Sequence, residues 1–584
     1  MPLMHRAWSY EYVQLIRTTY GISGSVFVDV QPNCTLESGE PLLGNWRVKA
    51  IGQPSNIPYT TLTDSQGFYT IQTCLVDTSV EISLDVPYNF AGICPSTYVF
   101  DLTQGGPWTQ NIPVQLTDEC NLLNVDIATN SMRPCFAGYY TVNYVNFSQN
   151  TISSTHVDVA LDPYVQYQGA TIPAVPQGNN IYRFQTGALS PGTAGSFRIF
   201  YVLDCDAPDG ATHCSEAAIS PYDNCPSQEA WSGAELRVTG ACDGDSVRLK
   251  ITNIGINPMA GKLNYVVTED LIMARQDNYI LGQGESVEAA FPADGTTWRM
   301  ETPQEPGHPW GGLISATVEG CGGINTANLV NVFTVDDNDP FVATDCTQNT
   351  SAFDPNDKHG FPEGYGNEHF IRPNTDLEYK IRFQNTGTDT AFTVILLDTL
   401  SQYLDAASIR TGAASHAYDF DLLEGNILRF RFDNILLPDS NVNEVASHGF
   451  VQFRISQQPD NPLGTVIPNA AAIYFDFNEP VITNQTWHTI GEDFLEVSAV
   501  DDPNHMGPLR VYPNPATETV FFEMPEAQAG RRFELTNVTG TAVRSGDFFG
   551  KTFRLERGML PAGVYFFRIY AGNGAAVSGK VVVK

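Results

Sequence analysis

Residues 379–394 read YKIRFQNTGTDTAFTV, and their pattern decides the fold class. Tyr379, Ile381 and Phe383 alternate with Lys380 and Arg382, the period of two that marks an extended strand with one apolar face. Asn385-Thr386-Gly387 then ends the alternation, because this pair suits a strand end where the chain must turn with positive φ. A second apolar run follows and closes on the acidic step Leu397-Asp398. The same arrangement stands twice upstream, as Tyr140, Val142, Tyr144 and Asn146, and as Val247, Leu249, Ile251 and Asn253. Gly255 follows Asn253 as Gly387 follows Asn385, Ser148 takes that place after Asn146, and the next strands end at Leu161-Asp162 and Glu269-Asp270. Periods of 107 and 132 residues between the asparagines are too long for a solenoid but fit immunoglobulin-sized sandwiches in series.

Working outward, the rest of the chain is written in the same style. Val247, Leu249 and Ile251 alternate with Arg248, Lys250 and Thr252, and Leu428, Phe430 and Phe432 with Arg429 and Arg431, so one face of each strand is expected in a core and the other in water. No dozen residues carry a 3.6-residue apolar stripe, which leaves single turns as the only helices expected. The 584 residues allow about four domains with cores of their own. With 42% hydrophobic and 16% charged residues the chain is composed to fold.

Its 31 basic and 65 acidic residues leave a net charge of −34, which argues against nucleic-acid backbones and anionic membranes as partners, since both need clustered cations. The charge is unevenly spread. Residues 506–584 hold ten basic and six acidic side chains, leaving 21 and 59 before them, so a +4 tail follows a −38 body. Such asymmetry points to a separately acting terminal module.

The eleven cysteines, at 34, 74, 94, 120, 135, 205, 214, 225, 242, 321 and 346, include no C-x-x-C pair, which favours disulfides over zinc and implies an extracellular or periplasmic compartment. The opening MPLMHRAWSYEYVQLIRTTY lacks the apolar core of a secretory leader, and no transmembrane segment is present. The simplest resolution of export without a leader is that this chain continues a longer protein or starts at a misassigned residue; the alternative is a cytosolic protein with reduced thiols. The expected organisation is a residual segment at 1–20, sandwiches at 21–116, 117–229, 230–345 and 346–490, a linker at 491–505 and a terminal domain at 506–584. Three, five and three cysteines then fall in the first three sandwiches when Cys346, at the 345/346 edge, is counted with the third, so either a bridge crosses a boundary, with Cys120 and Cys346 placed to do so, or some thiols are free.

Three stretches resemble known families. VYPNPATETV at 511–520, LPAGVYFFRI at 560–569 and SGKVVVK at 578–584 resemble the type A C-terminal sorting domain of the type IX (Por) secretion system of Bacteroidota. That resemblance implies a small β-sandwich read by the outer-membrane translocon and its sorting machinery, with Tyr512, Pro513, Asn514, Pro515, Leu560, Gly563, Tyr565, Gly579 and Lys580 carrying the signal. FDPNDK at 353–358, YKIRFQNTGTDTAFTV, LPDS at 437–440 and AAIYFDFNEPVITN at 471–484 are similar to an uncharacterised domain found upstream of such tails. GSVFVDV at 24–30, SGEPLLGNWRVKA at 38–50 and TDSQGFYTI at 63–71 are similar to the B-type, prealbumin-like repeats of surface adhesins, whose acidic loops often bind calcium; Asp29, Asn33, Glu37 and Glu40 offer oxygens here. No Lys-Asn-Glu set for an internal isopeptide bond can be assigned from the sequence.

Chemistry is otherwise scarce. G-x-x-x-x-G-K, H-E-x-x-H, G-x-S-x-G and EF-hand loops are absent, and the ten histidines are scattered, two of them in Ala-Ser-His steps at His416 and His448. Asp336, Asp337, Asp339, Asp345, Asp354 and Asp357 concentrate hard oxygen ligands between the third and fourth sandwiches. Calcium stiffening this joint is one reading, and a solvated acidic linker with Asx turns is the other.

The expectation is therefore an all-β serial array of immunoglobulin-like and prealbumin-like β-sandwiches ending in a small sandwich sorting domain. Its function would be that of a secreted or cell-surface stalk or adhesion protein, not an enzyme, with a surface glycan or another cell-surface protein as partner. The alternative is the C-terminal accessory region of an exported hydrolase whose catalytic domain lies upstream of Met1.

Overall fold

The computed structural model describes residues 19–74, 77–86, 91–116, 121–148, 150–222, 231–270, 272–323, 339–350, 355–491, 510–512, 516–537, 542–558, 560–570 and 576–584. The chain divides into two compact units, Met1–Tyr265 with Asn278–Glu492, and Val266–Asp277 with Asp493–Lys584. Among the described residues the fold is all β, and the helical pieces are single 3-10 turns at Leu102–Gln104, Ala406–Ser408 and Val445–Ser447.

In the larger unit the first sandwich pairs Thr19–Val28 with Phe68–Cys74 and Ile112–Leu116, and faces them with Arg47–Gln53, Pro58–Leu62 and Ser79–Asp85. Trp46, Val48 and Ile82 bury against Ile22, Val26 and Tyr69. The second sets Leu123–Thr129, Ala137–Asn146, Ala194–Leu203 and Val165–Ala170 against a sheet ordered Ala174–Gly178, Ile181–Leu189, Ile152–Ala160, Thr212–Ser220 and Val342–Gln348. The boundary expected at 345/346 thus falls inside a strand that belongs to the second sandwich, bound there through Cys214 opposite Cys346. Leu236–Asp243, Ser246–Asn253 and Ser286–Pro292 form a sheet of the third segment.

The fourth segment sets Lys358–Phe361, Leu377–Gln384, His448–Ile455 and Arg410–Ala414 against a sheet containing Ala471–Phe475, Ala391–Thr399, Ile427–Leu437 and Asp419–Leu423. That second sheet does not stop at its own domain. Asp419–Leu423 runs antiparallel to Pro58–Leu62 of the first sandwich, with Thr60 opposite Leu422 and Thr61 opposite Asp421, giving one nine-stranded sheet across two sandwiches. The expected row of sandwiches therefore turns back so that the fourth meets the first.

The three repeated asparagines share one hydrogen-bond pattern. The side-chain amide of Asn146 donates to the carbonyls of Asn150 and Leu189, both at 2.9 Å, and its Oδ1 accepts from the Ser148 amide at 2.9 Å. Asn253 repeats this with Asn257, Gly282 and Gly255, and Asn385 with Asp389, Leu437 and Gly387. Each knot satisfies backbone groups that leave the ladder in a buried place. The positive φ expected at the glycines is absent. Close approach accounts for them instead: a Cβ on Gly255 would stand 2.4 Å from the Glu235 nitrogen, and one on Gly387 3.0 Å from Asn385 Oδ1. Ser148 fits because its hydroxyl donates to Asn146 Oδ1 at 2.6 Å.

Four disulfides lie among the described cysteines: Cys34–Cys94, Cys135–Cys205, Cys214–Cys346 and Cys242–Cys321. Cys214–Cys346 crosses the expected boundary; Cys120 and Cys225 lie outside the described residues.

Candidate functional site

The strand Leu377–Gln384 breaks the rule of one wet face, since every residue but Glu378 is buried. Tyr379, Ile381 and Phe383 enter their own core, while Lys380 and Arg382 enter the joint with the second sandwich. Lys380 Nζ donates to Asp345 Oδ1 at 2.7 Å, to the Thr129 carbonyl at 3.0 Å and to Thr347 Oγ1 at 3.2 Å. Arg382 forms a two-pronged pair with Asp357 and donates from Nη1 to the Asn130 carbonyl at 3.1 Å. Burial alone would push the Asp357 carboxyl up, but hydrogen bonds and charge from Arg382, with His359, hold it down at about 2.

These pairings reassign part of the expected calcium cluster. Asp345 and Asp357 each already face a cation, Asp339 Oδ1 accepts from the Phe341 amide, and Asp336, Asp337 and Asp354 lie outside the described residues. Among the described residues, no three His, Cys, Asp or Glu side chains are grouped so as to hold a metal. In the first sandwich, Asp29 accepts from the amides of Asn33 and Cys34 and from Gln115, and Glu40 from the amides of Val30 and Glu37, so these oxygens fold their own loop.

Where the first, second and fourth sandwiches meet, a cleft of about 790 Å3 opens, lined by Thr61, Phe68, Asp126, Tyr144, His416 and Asp421 among others. Arg198, behind the lining residue Ser415, donates to its carbonyl at 2.8 Å and lies over the Tyr139 ring. His416 hydrogen-bonds Ser415 Oγ at 2.9 Å, and burial, with Arg198 nearby, lowers it to about 4, so its ring is neutral at physiological pH. His448, in the sister Ala-Ser-His step, engages Glu444 instead.

The terminal segment forms a separate small sheet ordered Arg510–Tyr512, Thr519–Asn537, Gly563–Tyr570 and Ala576–Val583, with Ala542–Glu556 paired to the long Thr519–Asn537 strand. Tyr565, Phe567 and Ile569 bury against Phe522, Phe533, Val581 and Val583. Tyr512 stacks on Phe521 at the edge, and Pro513, Asn514 and Pro515 lie outside the described residues. Leu560 is buried, Gly563 opens its strand opposite Val583, and the Tyr565 hydroxyl donates to the Pro561 carbonyl at 2.8 Å. Gly579 lies against the Phe567 ring, where a Cβ would come within 2.6 Å, and Lys580 is opposite Phe566.

Residues 510–584 match the secretion system C-terminal sorting domain. Residues 354–489 match a domain of unknown function, DUF7619. Among solved structures, the full-length RrgB pilus protein from Streptococcus pneumoniae is similar at 6% identity, covering 80% of this chain and 92% of that one, with a TM-score of 0.21. Collagen adhesin (CNA) from S. aureus is similar at 9% identity over 46% and 95% of the two chains, TM-score 0.18. The major pilin subunit BcpA of Bacillus cereus is similar at 9% identity over 48% and 87%, TM-score 0.16. No curated protein matches the chain.

The sorting domain directs export to the cell surface or the extracellular space through the type IX machinery, and the disulfides suit that destination. Its three sequence motifs converge on a residue that sequence reading passed over. Arg557 donates to the carbonyls of Thr517, Leu560 and Lys584, and its own amide donates to the Glu518 carbonyl at 2.7 Å. The available signal was an arginine three residues before Leu560, a spacing that means nothing until the three segments are folded together.

Proposed function

We propose that this chain is a non-enzymatic stalk and adhesion module of a Bacteroidota cell surface, delivered by type IX secretion and presenting the three-sandwich cleft to a surface glycan or another cell-surface protein. The observation that carries the reading is a sorting domain joined to a disulfide-stapled array whose second and fourth sandwiches lock together through the buried Lys380–Asp345 pair and the bond from Arg382 to the Asn130 carbonyl. A body built this way holds its exposed loops and its cleft at fixed separations, which suits presentation more than catalysis. Calcium, in this reading, would be drawn to the acidic run Asp336, Asp337, Asp339, Asp345, Asp354 and Asp357, of which Asp345 and Asp357 already face Lys380 and Arg382.

Deleting Val511 to Lys584 tests the export half: the truncated chain should accumulate in the periplasm, and unimpaired surface display would overturn it. For the adhesion half, Phe68→Ala on the cleft wall should reduce attachment of displaying cells without changing the amount displayed. Unchanged attachment would place the binding surface elsewhere.

A further inference from the structure

The repeat alignment singles out one core position of the fourth sandwich. Four residues before each knot asparagine, the strand pairs with a residue of the preceding strand: Val142 with Ile127, Leu249 with Gly240, and Ile381 with Lys358. The place that takes isoleucine in the second sandwich and glycine in the third takes a lysine in the fourth, and that lysine is fully buried. Replacing an apolar core residue by an amine is costly unless the amine is used.

The surroundings of Lys358 are those of a reactive amine. Its Nζ contacts Asp398 Oδ2, a carboxyl equally shut off from solvent, and lies 4.3 Å from the Tyr379 ring centroid and 5.3 Å from that of Phe453. Burial lowers the lysine and raises the aspartic acid, each shift disfavouring the charged form of its group. Asn484 fixes the Lys358 backbone, accepting from its amide at 2.8 Å and donating to its carbonyl at 2.9 Å.

The third member is Asn469, at the end of the strand Val466–Asn469, two residues before Ala471, which stands opposite Asp398. It is buried and interacts with both Asp398 and Tyr379, yet neither its Oδ1 nor its Nδ2 makes an aligned hydrogen bond. A buried carboxamide with both ends unsatisfied is rare in a settled core. Lys358 and Asn469 therefore share two neighbours, Asp398 and Tyr379, in one dry pocket.

We infer that Lys358 and Asn469 join in an intramolecular isopeptide bond, with Asp398 carrying the protons. The Lys358 Nζ lone pair attacks Asn469 Cγ while the Asp398 carboxyl gives its proton to Oδ1. Asp398, now a carboxylate, takes a proton from the new ammonium nitrogen and passes it to the amide nitrogen. The Cγ–Nδ2 bond then breaks, ammonia leaves, and the proton on the former carbonyl oxygen returns to Asp398 as the C=O reforms. Nothing is oxidised or reduced, no cofactor enters, and the dry pocket favours amide over hydrolysis. The cavity of about 300 Å3 bordered by Lys358 and His488 gives the ammonia a way out. The product ties the first strand of the sandwich to one of its last, in the part of the chain that has no cysteines.

The test is the mass of the full-length, disulfide-reduced chain, followed by tandem mass spectrometry of a digest. The expected result is a mass lower than the sequence mass by one ammonia and a branched peptide joining Lys358 to Asn469. An unshifted mass with linear peptides across both residues overturns the inference, as does a branched peptide joining Lys358 to Asp398 with loss of water. In an Asp398→Ala chain the bond should be absent; a folded variant that still contains it would remove Asp398 from the chemistry. The wild-type mass decides the bond itself even where the variant fails to fold.

Discussion

Asn385 shows how much one side chain does in this fold. It serves two backbone carbonyls and one amide in a buried place, so Asn385→Ala leaves three groups without partners. At about 1 kcal/mol each, the loss should be about 2 to 4 kcal/mol, read as an earlier urea transition of the fourth sandwich. The repeat was legible because asparagine ends a strand in all three copies, whereas the role of Gly255 was not, since crowding by the neighbouring segment at Glu235 leaves no local mark. Arg557 makes the same point in the tail. Arg557→Ala should release the carbonyls of Thr517, Leu560 and Lys584 together, destabilise the sorting domain by about 2 kcal/mol and lower the exported fraction measured in the medium and at the surface.

At the scale of the element, the strand Leu377–Gln384 carries three duties on two faces: core packing, the Asn385 knot at its end, and the Lys380 and Arg382 contacts to the second sandwich. Alternation made the strand and its inner face readable. It could not show that the charged face is covered, because the covering aspartates come from distant segments and exposed strands also alternate with Lys and Arg. The joint has a pH signature. Asp357 titrates lower folded than unfolded, so its contribution is complete above its ordinary value of 3.8 and is lost as pH falls through about 2, a difference of about 2 kcal/mol. Thermal unfolding followed from pH 5 downward, to about pH 2, should lose stability in that window, and Arg382→Ala should lose more than this at neutral pH because it strands a buried carboxylate.

For the whole molecule, composition and periodicity gave the all-β class and the charge gave the separate tail, but the order of sandwiches along the chain did not give their order in space. The nine-stranded sheet joining the first and fourth sandwiches depends on two short edge strands, Pro58–Leu62 and Asp419–Leu423, whose partners no local pattern names. Cys214–Cys346 is likewise a property of the assembled body, closing a segment of 132 residues onto adjacent strands. Replacing both cysteines by serine should cost roughly 3 to 5 kcal/mol in the second sandwich, seen as a lower denaturant midpoint with the remaining disulfides intact.

That bridge also governs how the molecule bears tension. A surface protein pulled from its two ends carries the load along its covalent path, and at Cys214 the path steps straight across to Cys346. Everything between the two cysteines, the third segment included, is bypassed. Its slack of roughly 430 to 480 Å of extended chain stays in reserve while the bridge is oxidised and becomes available only on reduction. The third segment can then hold its fold under a load that strains its neighbours, and the redox state of this one bridge sets the length to which the chain extends.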